Sequence, residues 1–294
     1  MLKNIHTFEL YRYQILPINR AQLELFKNTE QSIEELLEKK NRYFIEAFNT
    51  LCSTTYLDDN GGVKRLIFKR IYPKEELLSE DVNIFLMAKP KSLTMETDDF
   101  SSKEIQNWPR IHLIVINDKE QQILAVEKRT SAFPSTKNVI NKISERLNKI
   151  LGLHNLNVHI NPIYDKKFFW DFVADKSIKK IEFSLITPNM ANISKTISDE
   201  LKNLAKTSNT ARTDIQLNAA DDTNLIIEKD NPYINDLVEY SSQGGGTIRI
   251  QVKGVRRFTD INKGITTISC DSLTLESNDP KNIIDIVGYI LGDK

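Results

Sequence analysis

Carboxylates and lysines at short spacing are the first chemistry to weigh in this chain. Asp221, Asp222 and Glu228, followed by Lys229, are the residue types with which metal-dependent nucleases hold a divalent ion. Such a site wants an acid, one spacer and a lysine along a strand, so that both side chains share a face. Glu228 and Lys229 are adjacent, and neighbours on a strand point to opposite faces. Glu127 and Lys128 repeat the flaw. Both pairs therefore read as solvated groups. The four histidines, His6, His112, His154 and His159, form no His-x-x-x-His helix pair and read as ordinary surface or packing residues. Cys52 and Cys270 give no zinc spacing and no disulfide framework. Gly244, Gly245 and Gly246 lack the Gly-Lys-Ser/Thr ending of a phosphate loop, and a strand rather than a helix follows them, so they read as a flexible turn. There is no Gly-x-Ser-x-Gly elbow. The sequence assigns no catalytic residue, no metal ligand and no cofactor.

Basic residues gather more usefully. Lys128 and Arg129, then Lys137, Lys142 and Arg146, fall on a loop and on the helix face beside it. Arg249, Lys253, Arg256 and Arg257 fall on one strand face and the turn after it. Each set could contact several phosphates. Lys+Arg and Asp+Glu both number 40, so the formal charge is zero and any attraction to a polyanion has to be local. The competing reading of such rows is a solvated face. Phe168, Phe169 and Trp170 could stack on bases, but at consecutive positions some of them belong in a core.

The elements that position these groups are legible from periodicity. Residues 111–116 and 123–126 are apolar runs joined by a polar turn, which predicts an antiparallel hairpin. A long helix follows to residue 151, with Ser135 or Thr136 as cap and Val139, Ile140, Ile143, Leu147, Ile150 and Leu151 on one face. Gly152 stands where it should stop. Upstream, residues 3–16 read as a long strand with a slip near Leu10, and 29–50 as a helix with Ile33, Leu37, Phe44 and Phe48 as its stripe. Residues 89–107 are polar and read as a loop. Downstream, strands are expected at 158–162, 181–186, 215–219, 247–253 and 265–270. Helices are expected from Pro188 on, over 233–240 and over 283–291. Strands in runs with helices between them predict an α+β fold: mixed, mostly antiparallel sheets with helices packed on one face. With 294 residues, 40% of them hydrophobic, two lobes are expected, 1–175 and 176–294. No secretory segment opens the chain and no apolar run is long enough for a spanning helix, so a cytoplasmic protein without membrane insertion is expected.

The hairpin and helix of 111–151, and the strand, helix, strand, turn and Gly-rich segment of 181–252, resemble in element order phage-exclusion protein A of the lambda Rex system. The resemblance is one of pattern, over about two-thirds of the chain. It implies a non-enzymatic, homodimeric protein that binds double-stranded DNA in bacterial anti-phage defence, of the abortive-infection or phage-exclusion kind, with a second defence protein as a possible partner. Two alternatives stand beside it: a metal-dependent nuclease effector using Asp221, Asp222 and Glu228, and a protein-interaction subunit of a larger defence complex.

Overall fold

The computed structural model describes residues 5–18, 33–53, 66–71, 81–118, 122–186, 208, 210–271, 287–288 and 290. It is an α+β fold with antiparallel sheets, as the pattern predicts. The chain divides into two compact units. The first takes Met1–Glu9, Asn41–Leu151 and Ile268–Lys294, and the second Leu10–Lys40 and Gly152–Thr267. The boundary expected near residue 176 falls inside the second unit. The physical reason is a shared core: Phe169 and Val173, ahead of that point, pack in one apolar cluster with Ile178, Ile181 and Phe183 after it. The first strand, β1 (Ile5–Pro17), is divided between the units after Glu9. Its alternation slips at the same place, where Leu10 and Tyr11 are both buried.

In the first unit, helix α1 (Ile33–Ser53) buries Phe44, Phe48 and Leu51. The side chains of Ile33 and Leu37 lie outside the described residues. Strands β2 (Ile67–Arg70), β3 (Val82–Ala88), β6 (Arg110–Asn117) and β7 (Gln122–Glu127) pair antiparallel in sequence order. With the last strand, β13 (Thr267–Asp271), the sheet runs β13-β1-β7-β6-β3-β2. Every residue of β7, and all of β6 after Arg110, is buried. That explains why both are continuous apolar runs rather than alternating ones. Helix α2 (Thr136–Leu151) buries Val139, Ile140, Ile143, Leu147 and Leu151, and Ser135 caps it by accepting from the Asn138 amide at 3.2 Å.

Residues 89–107, expected as a loop, hold a second hairpin, β4 (Lys91–Glu96) and β5 (Ser102–Asn107). The expectation failed because its strands are almost wholly exposed. Leu93 and Ile105 pair across it, and their apolar signal is sparse against a polar background. Its turn is held by the Asp99 carboxylate, which accepts from the Ser101 amide at 3.2 Å.

In the second unit, the later half of β1 pairs with β8 (Leu156–Pro162). A four-stranded sheet runs β10 (Arg212–Asn218), β9 (Ile178–Ile186), β11 (Gly246–Val252), β12 (Thr259–Asp260). Helices α3 (Lys166–Ala174) and α4 (Pro232–Tyr240) add Phe169, Val173, Ile234, Val238 and Tyr240 to its core. Phe168, Trp170 and Phe172 pack against that core, so the aromatic run is a packing feature. The triple glycine is not a flexible turn. Gly244 and Gly245 close a buried turn after α4, and Gly246 begins β11. A Cβ on Gly246 would collide with the Ser184 carbonyl oxygen of β9, so glycine is what lets the two strands close there. The helix expected from Pro188, with Ile193, Ile197, Leu201 and Leu204, lies outside the described residues, and of 283–291 only 287, 288 and 290 are described, as helical. Among the described residues no helix is long and apolar enough to cross a membrane.

Candidate functional site

Strand pairing in the first unit brings together three groups that are far apart in sequence. β7 lies between β1 and β6, so Glu127 at its end is flanked by His6 of β1 and His112 of β6. The β6–β7 register, Leu113 opposite Val126, continues to His112 opposite Glu127. His6 Nδ1 lies 2.7 Å from Glu127 Oε1, and His112 Nδ1 lies 2.8 Å from Oε2. The His112 amide also donates to Oε2, at 2.7 Å. The two imidazoles meet edge to face, with centroids 5.4 Å apart. The Glu127 side chain is only 4% exposed, that of His112 7% and that of His6 16%.

A carboxylate this buried is stable only if its lone pairs are used. Burial pushes the Glu127 carboxyl up. Hydrogen bonds from His112 and His6, with the His112 amide, more than reverse that and hold it at about 2 against an ordinary 4.5. An ionised carboxylate only accepts, so each imidazole donates from Nδ1 and turns Nε2 away. The ligand-type atoms of the three side chains all lie within 4.8 Å of one another. Chemically, the cluster can share protons or hold a cation.

His6 and Glu127 form part of the wall of a cleft of about 780 Å³. Ile5, Leu93, Trp108 and Pro109 supply its apolar lining. Its cations are Lys91, Arg110, Lys128 and Arg129. Lys128 pairs with Glu9 at 3.2 Å. Arg129 donates to the Arg110 carbonyl at 3.0 Å and to the Ser131 hydroxyl at 3.3 Å, and Lys91 to the Ser131 carbonyl. Among the described residues none of Lys91, Arg110 and Arg129 is paired with an acid.

The basic residues singled out from the sequence are distributed as follows. Lys128 and Arg129 line this cleft. Lys137, Lys142 and Arg146 lie on α2, where Arg146 donates to the Lys142 carbonyl at 3.2 Å. Arg249 belongs to the second unit and is held there by Glu182 of β9, its Nε 3.1 Å from Oε1. That bond, with the charges of Glu182, Asp260 and Asp214, raises its pKa further, and its guanidinium sits over the Phe258 ring at 5.3 Å. Lys253, Arg256 and Arg257 are exposed on the turn after β11. Asp221 and Asp222 lie in an exposed turn, and Glu228 sits outside any strand. Among the described residues these three bring no set of ligand atoms together, whereas His6, His112 and Glu127 do.

Sequence reasoning passed over that trio. Half of the signal was available, because folding the predicted hairpin about its turn sets His112 across from Glu127. The pairing of β1 with β7, which supplies His6, is long-range and has no local signal.

No curated protein and no solved structure matches the chain. One family model matches residues 92–261, a span that takes in His112, Glu127, Lys128 and Arg129 and leaves out His6. That is more than half of the chain, which therefore belongs to the family described as a domain of unknown function, DUF4747.

Proposed function

We propose that this protein binds DNA, and that the cleft of the first unit grips the phosphate backbone of one strand. The observation that carries the reading is the charge balance of the cleft. Four cations surround one acid, and that acid already has three hydrogen bonds. Trp108, beside Pro109 and Leu93, offers an aromatic surface for a base next to those cations. A cleft of about 780 Å³ is small for a duplex but suits a short stretch of one strand. A role in bacterial anti-phage defence, as a homodimer, follows from the resemblance to the phage-exclusion family and remains part of the proposal.

The test is fluorescence anisotropy with labelled single- and double-stranded DNA across a salt series. Arg110 and Arg129 are two of the three cleft cations without an acid partner among the described residues, so replacing both by Gln should flatten the slope of log affinity against log salt by about 1.4–1.8. Binding to all sequences should weaken alike, because phosphate contacts carry no sequence information. An unchanged slope in a folded double variant removes the cleft from the interface.

A further inference from the structure

We propose that His6, His112 and Glu127 form a binding site for one divalent first-row transition-metal ion, open toward the cleft. Two imidazole nitrogens and one carboxylate oxygen are the donor set that zinc, iron(II) and manganese sites use with positions left over for water or substrate. Magnesium and calcium prefer all-oxygen shells, so the two histidines select against them.

The geometry fits the ion in three ways. First, the donors converge, lying within 4.8 Å of one another. Around one tetrahedral ion with bonds of about 2.0–2.2 Å, donor atoms stand about 3.3–3.6 Å apart. The two Nδ1–carboxylate separations here are 2.7 and 2.8 Å. Admitting the ion means opening those two pairs by about half an ångström and drawing the widest pair, at up to 4.8 Å, inward by about 1.2–1.5 Å. Second, the three residues come from three adjacent strands, β1, β7 and β6, which are rigid supports for a ligand set. Third, an outer support exists already: the His112 amide fixes Oε2 at 2.7 Å and orients the carboxylate.

The proton balance closes without an external acid or base. Each neutral imidazole carries one proton, on Nδ1 while it donates to Glu127. Coordination through Nδ1 moves that proton to Nε2, and the ion takes the place of the two bridging protons. His6 and Glu127 reach the cleft wall and His112 does not, so the remaining coordination positions face the cleft. An ion there could take a phosphate oxygen between Lys91, Lys128 and Arg129. That last role rests on the DNA reading; metal uptake does not.

The test uses the full chain, stripped with a chelator and titrated with Zn²⁺ by calorimetry and with Co²⁺ by visible absorption. The expected result is one ion per chain, with ligand-field bands of a low-coordinate nitrogen and oxygen site for Co²⁺, and no displacement by excess Mg²⁺. His6→Gln and Glu127→Gln should each weaken binding by more than about 100-fold, beyond the loss expected of an outer-shell change. His6 is the most exposed of the three, so His6→Gln decides the matter if Glu127→Gln fails to fold. A folded wild-type chain that takes up neither ion overturns the proposal. So does uptake unchanged in the variants, which would place the ion elsewhere, for example at Cys52 or Cys270. Metal uptake without DNA binding would sink the functional reading and leave this one standing, and DNA binding in chelator without uptake would do the reverse.

Discussion

Replacing Glu127 by Gln keeps the size of the side chain and removes its charge, so it measures what the buried carboxylate contributes to stability. The three donors around it are His6 Nδ1, His112 Nδ1 and the His112 amide. A glutamine offers one oxygen to accept and one amide that must itself donate. At least one imidazole then faces a donor and has to turn or exchange its proton. The carboxyl's fall from 4.5 to about 2 corresponds to about 3 kcal/mol favouring the ionised form in the folded state. Part of that is returned by the glutamine's own hydrogen bonds, so the expected loss at pH 7 is about 2–3 kcal/mol. The pH dependence has a fixed sign. A carboxyl whose folded pKa lies below its unfolded value stabilises the fold above about 4.5, and the contribution disappears as pH falls through about 2. The assay is urea denaturation of both proteins from pH 7 down to pH 3, in the presence of chelator. The gap between them should be largest at pH 7 and narrow below about 4.5. A gap under about 0.5 kcal/mol at pH 7, or one that widens as pH falls, would refute the account of Glu127 as an ionised hydrogen-bond hub.

Other perturbations test the frame around the site. Leu147→Ala, in the buried stripe of α2, should cost about 2–5 kcal/mol in urea denaturation, and a loss under about 0.5 would show that this face is not core. Gly246→Ala should destabilise by about 1–3 kcal/mol because its Cβ meets the Ser184 carbonyl, and a neutral change would mean that β9 and β11 can separate there without loss. Tyr240→Phe removes the hydroxyl that donates to the Ile186 carbonyl at 2.5 Å, with an expected loss of about 1–3 kcal/mol by thermal or urea melt. Arg249→Gln with Lys253→Gln should flatten the salt slope of DNA binding by about 0.9 or less, because Arg249 is already neutralised by Glu182. A drop near 2 would put the β11 face in the interface after all.

The sequence by itself determined the elements whose burial is one-sided and local. The hairpin of β6 and β7 and the helix after it follow from two apolar runs, a polar turn and a stripe at helical spacing. A cap at Ser135 or Thr136 and the stop at Gly152 follow from chain chemistry within a few residues, and the structure chose Ser135. The α+β class follows from the order of such elements. The β4–β5 hairpin was illegible because almost nothing on it is buried, so its hydrophobic pattern is too weak to set a period. The division into units was illegible for a different reason. One unit recruits its first and last strands from the two ends of the chain, and no local composition marks such an exchange. The His6, His112 and Glu127 cluster depends on the same long-range pairing. Residues 6 and 127 become neighbours only because β1 adds alongside β7, and a carboxylate between two imidazoles acquires its character from that burial. Charge shows the same limit, since Arg249 reads as a free cation until β9 places Glu182 beside it. Local sequence sets what each segment can become; which charges end up facing each other, and out of water, is decided by tertiary pairing.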